Sequence, residues 1–280
     1  MHPDILQYMT WTLPVRATYP LVDIGANLSH ESFTSDLEEV LASARDAGLE
    51  QIMVTGTSVA GSQEAARLAR QYPGFLYSTA GIHPHEAQEY DDAATRALTA
   101  LCADNDCVKA VGETGLDYFR DFSPRESQCQ AFDSQLQLAA ALNQPAFLHQ
   151  RDGHDDFVRL LRQHRNSLPR AVVHCFTGTE AELRDYLELD MHIGLTGWIC
   201  DERRGQHLHD FISLIPENRL MLETDSPYLL PRTIRPRPKT RRNVPANLVH
   251  VLKTVAECLG KSEKHVAEQT TATARDFFAI

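Results

Sequence analysis

The sequence predicts an α/β protein, a (β/α)8 TIM barrel, from three observations. Eight short, apolar, β-prone runs recur along the 280 residues. Longer stretches with helical patterning lie between them. The alternation averages about 35 residues per unit, the spacing of a barrel in which each strand is followed by a helix. Several runs are apolar throughout instead of alternating in and out, as parallel strands covered by helices require. A doubly wound open sheet is the alternative, because alternation alone does not impose closure.

The elements follow in order. Residues 1–20 read as an N-terminal extension, and residues 21–280 as one catalytic domain with no linker or composition shift inside it. The first strand is "LVDIGAN", followed by the helix "SDLEEVLASARDAG", whose final Ala-Gly is a stop signal. "QIMVTGT", "FLYSTAG" and "KAVGETG" are strands two to four. The helix "RESQCQAFDSQLQLAAALN" leads to strand five, "PAFLHQR". Strand six is "AVVHCFTG"; the helix after it opens with Thr179 and has Glu182 three residues on, a capping box. "HIGLTGW" and "RLMLETD" complete the eight.

Composition narrows the classes. Hydrophobic residues make up 42% and charged residues 23%, ordinary for a soluble globular chain. The net charge of −11 repels nucleic acid overall, so a polyanion needs a local basic patch. Six scattered cysteines without a C-x-x-C pair read as reduced cytoplasmic thiols. The N-terminus has no basic region leading into an apolar core, so neither signal peptide nor anchor is expected, and no run is long enough to span a membrane. Nothing demands a protein partner, and a monomer is expected.

Chemistry in such a barrel sits at the C-terminal ends of the strands. Glu113 ends strand four, His149 strand five, His174 strand six and Asp225 strand eight. Strand three leads into "GIHPH", with His83 and His85. Taken singly, each is a structural histidine, a buried paired carboxylate or a turn cap. Taken together, they converge at one barrel mouth, where charge is buried only when paired or metal-bound. Two carboxylates with two imidazoles suit Mg²⁺, Mn²⁺ or Zn²⁺. Such an ion lowers the pKa of bound water and neutralises a phosphoryl or carbonyl oxygen. Asp225 is either a ligand or the general base that accepts the water's proton.

The motifs "AGIHPHEA", "VGETGLDY", "FLHQRD", "VVHCFTGT", "IGLTGW" and "MLETDSPYLLP" resemble those of the TatD family of metal-dependent deoxyribonucleases, in the family's order and over residues 21–280. The resemblance implies a barrel of the metal-dependent hydrolase type. It implies a Mg²⁺-assisted 3′→5′ exonuclease acting on single-stranded DNA and also RNA, in nucleic-acid turnover or repair. Carried over motif by motif, it places Glu113, His149, His174 and Asp225 at the metal, with Glu113 and Asp225 also catalytic. His83 would stand beside the scissile phosphate as the third catalytic group. Many relatives carry His-x-His on the first strand, and those positions are Gly25 and Asn27 here. That loss argues against a full two-metal site and for a weakly held Mg²⁺ over tightly bound Zn²⁺.

An acidic protein needs local means of holding a polyanion. "RTIRPRPKTRR", residues 232–242, has six Lys/Arg and no acid, and follows strand eight onto the same face as Asp225. Arg241 and Arg242 of this loop, Arg203 after strand seven, Arg151 after strand five and His85 are the expected substrate contacts. Trp198 and Tyr118 are candidates for stacking on bases. Asp117 reads as a loop cap or a support for the ligands, and Cys175 as core, pointing away from His174. A small-molecule hydrolase of the same barrel type is the alternative function. Gly25 and Asn27 fit it poorly, and it leaves the basic loop without a purpose. A metal-free binding protein is a third reading, but no strand-end ligand is missing.

Overall fold

A computed structural model describes residues 16–280. Eight parallel strands lie in chain order, each beside its neighbour: β1 Leu21–Ala26, β2 Leu49–Val54, β3 Leu76–Ala80, β4 Val108–Asp117, β5 Ala146–Arg151, β6 Ala171–Val173, β7 His192–Leu195 and β8 Leu220–Leu222. All eight expected strands are present, and their order excludes a doubly wound sheet. The helices are α1 Leu37–Asp46, α2 Val59–Gln71, α3 Asp92–Asp104, α4 Arg125–Leu142, α5 His154–His164, α6 Glu180–Glu188, α7 Leu248–Leu259 and α8 Glu263–Phe278. The Thr179–Glu182 capping box forms at the start of α6, both reciprocal bonds being made.

Apolar side chains build two layers. One large cluster lies between sheet and helices, including Leu41, Ile52, Phe132 and Leu148. A smaller one fills the barrel with Ile24, Met53, Phe147 and Met221, and Phe277 and Phe278 of α8 pack onto it. The expected extension lies mostly outside the described residues. Of its last five, Ala17 and Tyr19 pack on the core, and the Ala17 amide donates to the Ala47 carbonyl at 3.0 Å.

Strand β4 is the longest because its pairing with β5 continues from Thr114↔Leu148 to Asp117↔Arg151, past Glu113. Two buried glutamines of α4 hold this end. Gln128 accepts from the Asp117 amide at 2.8 Å; Gln135 accepts from the Ile82 amide at 2.8 Å and donates to Thr114 at 2.6 Å. These polar groups sit on a helix face that faces the sheet, and they fix the loop carrying His83 relative to Glu113.

The seam between β1 and β8 closes without a continuous ladder. Ala26 and Ser226 form a single parallel bridge. The Asp225 amide donates to the Gly25 carbonyl at 2.8 Å, and the Asn27 amide to the Ser226 carbonyl at 2.7 Å. Below them Asp23, fully buried, accepts from the Thr224 amide at 2.9 Å and the Thr224 hydroxyl at 2.6 Å. Burial pushes its carboxyl up to about 8 against the pull of those bonds. A raised folded-state pKa means that the folded chain holds this proton over a window where the unfolded chain has released it. Stability from Asp23 is therefore full below about pH 4 and falls as pH rises towards 8. Asp23→Asn should fold and reduce the decline of unfolding free energy across that window by up to about 1.4 kcal/mol per pH unit. Urea titrations from pH 5 to 8 check it; parallel slopes for both proteins would contradict it.

Candidate metal centre and active site

Glu113 emerges from β4 buried at the barrel mouth, and three imidazoles meet one of its oxygens. His174 Nε2 lies 2.8 Å from Oε1, His149 Nδ1 3.0 Å and His83 Nε2 3.3 Å. Burial opposes the charge of Glu113, but His174 and His83 outweigh it and hold the carboxyl well below the usual range. The topology explains the convergence. His149 is on β5, His174 directly follows β6, and His83 follows β3, so β3 and β5, which flank β4, and β6 beyond β5 deliver their strand ends to one point.

Each imidazole is differentiated by its second nitrogen. His174 Nδ1 faces Glu223 at 3.3 Å, so this ring sits between two carboxylates. Burial would favour the neutral ring, yet Glu113 and Glu223 raise its pKa well above 6.5. His83 is pushed down to about 4 by burial and stays neutral. Its Nδ1 accepts the His85 amide at 3.1 Å, so its proton belongs on Nε2, facing Glu113. His149 Nε2 is buried without a hydrogen-bond partner, 3.6 Å from Asp117 Oδ2.

Asp117 takes the capping role that the sequence suggested and braces His85. Oδ1 accepts the amides of Phe119 and Arg120 at 3.1 and 2.8 Å, capping the loop. Oδ2 accepts from His85 Nε2 at 2.8 Å. Burial works against its charge, but the His149 and His85 imidazoles hold the carboxyl below the ordinary range.

Asp225 lies at the closing seam and accepts from Asn27 Nδ2 at 3.0 Å. Its carboxyl is raised to about 7, first by burial and then by the Glu113 and Glu223 charges, with His174 pulling it down. Asn27 therefore does face the mouth, as a support for Asp225.

The sequence reading passed over Glu223. It is fully buried and accepts the Cys175 amide besides facing His174. A Cβ added at Gly25 would stand 2.5 Å from Glu223 Oε2, and one at Gly194 2.6 Å from Oε1. The Glu223 carboxylate thus fills the space that a side chain at position 25 would need. The signal was present in "LETD", where a second acid stands two residues before Asp225. Cys175 is also corrected. It is partly exposed, with φ 48°, and the carboxylates of Asp225 and Glu223 add to burial in raising its thiol pKa, so it borders the mouth.

His83, Glu113 and His149 can bring one ligand atom each within 4.8 Å of the others, the one such group among the described residues. The donor set, two nitrogens and a carboxylate with a buried unpartnered imidazole nitrogen beside it, fits a divalent ion.

A cleft of about 760 Å³ lies among the loops that follow β7 and β8, at the strand-end face of the barrel. Arg203, Arg204, Arg232, Arg237, Lys239 and Arg241 line it. Buried Asp201 anchors Arg203 and Arg204 at 3.1 and 2.9 Å while their side chains remain more than half exposed. Arg242 turns away from the cleft: it pairs with Asp36 at 2.6 Å, donates to the Ser32 carbonyl at 2.7 Å and covers Phe33. The loop basic charge is therefore split, because Arg242 can satisfy a carboxylate on the α1 side. Arg151 lies over the Phe119 ring at 4.1 Å. Tyr118 is directed outward, donating to Asp156 at 2.9 Å beneath Arg125. Trp198 is partly buried on the core with Arg204 over its ring at 4.2 Å.

A family model described as TatD related DNase matches residues 22–279. The chain belongs to that family. Membership in the TatD family makes it a hydrolase of nucleic-acid ester bonds. It is 47% identical over 260 residues to the 3′-5′ ssDNA/RNA exonuclease TatD of Erwinia amylovora, covering 93% of this chain and all of that one. The Klebsiella pneumoniae protein of the same name is 46% identical, over 93% and 98%. A solved TatD homologue from Escherichia coli K12 superposes with a TM-score of 0.84 at 29% identity, over 93% of this chain and 98% of that one.

The Glu223 packing makes a direct prediction. Gly25→Ala should destabilise the TatD barrel by about 1–3 kcal/mol, the usual cost of overpacking. The shorter acid of Glu223→Asp should relieve most of that cost. Denaturant unfolding of the two singles and the double checks this; an undiminished Gly25→Ala cost in the Asp background would refute it.

Proposed function

We propose that the protein is a metal-dependent 3′→5′ exonuclease on single-stranded DNA and RNA, acting in nucleic-acid turnover or repair. The observation that carries this is the Glu113 cluster at the strand ends of the barrel, on the face where the loops after β7 and β8 form a cleft lined with six basic side chains. Polarity and strand preference rest on the names of the relatives that are 46–47% identical.

Glu113, His149 and His174 would hold the ion, with Asp225 at its edge. His174 suits this through Nε2, since Glu223 can take the proton on Nδ1, the usual support of a ligating imidazole. His83 lies within reach, but its Nδ1 accepts an amide proton. We assign it to donate Nε2–H towards the scissile phosphate. A bound Mg²⁺, with Mn²⁺ or Zn²⁺ as substitutes, would lower the pKa of its water and neutralise phosphoryl charge. Asp225, held by Asn27 at 3.0 Å, would be the group that takes up the proton of the attacking water. Arg203, Arg241 and the neighbouring cleft cations would follow the phosphates; Arg151 and His85 would meet the strand at the rim.

No helix among the described residues is long and apolar enough to cross a membrane. The six free cysteines suit a cytoplasmic protein, and we expect it to act as a monomer.

End-labelled single-stranded DNA incubated with Mg²⁺ should shorten stepwise from its 3′ end, and EDTA should stop it. Glu113→Ala and His149→Ala should each lower the rate by more than about 100-fold, the upper cost of losing even an outer partner of a ligand. Survival of the full-length strand with Mg²⁺, Mn²⁺ and Zn²⁺ alike would overturn the proposal.

A further inference from the structure

The most exposed large apolar side chains of the described residues include two in the loop after β4, Phe119 at 54% and Phe122 at 66%. A phenylalanine left in water forgoes the favourable burial of its ring, so two within four residues call for an occupant. The loop is held firmly. Asp117 caps its first amides, Gln128 donates to the Ser123 carbonyl at 2.8 Å, and the Ser123 hydroxyl donates to the His85 carbonyl at 2.8 Å. The rings are presented by a braced loop.

Phe122 is one ring removed from a catalytic group, and Phe119 meets the basic rim. Phe122 stands 4.8 Å from the His85 ring, which is 4.2 Å from His83, whose Nε2 faces Glu113. Phe119 begins a line of alternating aromatic and guanidinium groups. Arg151 lies 4.1 Å from Phe119 and 5.7 Å from Trp198, and Trp198 lies 4.2 Å from Arg204, which lines the basic cleft. Flat apolar faces beside cations match a strand that offers base faces and phosphates together.

We propose that Phe119 and Phe122 are the stacking platform for the bases at the strand end being hydrolysed. This makes them specificity-determining residues, in place of Tyr118, which is turned away. The inference rests on the nuclease reading and extends it. Paired bases have their faces covered by their neighbours in a duplex, so a platform of this kind rewards an unpaired end. The occupant is thus a single-stranded terminus, and the strand preference arises in this loop.

The test uses the full chain and Phe119→Ala, Phe122→Ala and the double variant. Three oligonucleotides are compared: a plain single strand, the same strand with its last two 3′ nucleotides abasic, and a blunt duplex. Each Ala should raise KM on the plain strand on the order of 10-fold, the scale of one stacked base. The ratio of wild type to variant should collapse on the abasic-ended strand, where there is no base face to lose. The preference for plain strand over duplex should shrink in the double variant. Equal losses on plain and abasic ends, or no loss at all, would overturn the platform while wild-type shortening upheld the nuclease. A wild-type protein that leaves the plain strand intact would overturn both.

Discussion

One oxygen of Glu113, shared by three imidazoles at 2.8, 3.0 and 3.3 Å, organises the barrel mouth. Three buried carboxylates, Glu113, Asp117 and Glu223, and the partly buried Asp225 crowd this region. Removing so many acids from water is costly unless charge opposes them. The histidines supply part of the compensation, and the neighbouring charges sort them. Without an ion, His174, between two acids, favours its charged form, while His83, facing one acid from a desolvated position, stays neutral. Asp225, short of an imidazole of its own, is left near 7. The same carboxylate that gathers the ligands thereby sets which groups give and take protons.

The first strand shows how the site manages without the histidine pair. Gly25 and Gly194 clear space for the Glu223 side chain, whose two oxygens lie 2.5 and 2.6 Å from where their Cβ atoms would be. Glu223 then orients His174, and Asn27 orients Asp225. Strand β1 thus acts on the centre indirectly, through the seam that Asp23 and Thr224 close.

Much of this was legible from the sequence. The eight strands were, because buried parallel strands leave uninterrupted apolar runs. Glu113, His149, His174 and Asp225 were, because strand ends in a barrel share one mouth. Glu223 was hidden by its neighbour in "LETD", since a buried acid is recognised by what it touches, and the two glycines that accommodate it are far away in sequence. Loop residues were read least well. Arg241 and Arg242 are adjacent, yet one lines the cleft and the other pairs with Asp36. Tyr118 and Phe119 are adjacent too, and the strand end at Asp117 sends the first towards Asp156 and the second to solvent. Periodicity assigns faces to strands and helices but not to a short loop.

The most direct measurement is the position of a metal in a crystal of the protein. Anomalous scattering from crystals soaked in Mn²⁺ should show a peak bonded to Glu113 and His149 on the β4–β6 side of the mouth, with Glu223 still on His174. A peak coordinated through strand β1, or a mouth left empty at saturating Mn²⁺, would contradict the account.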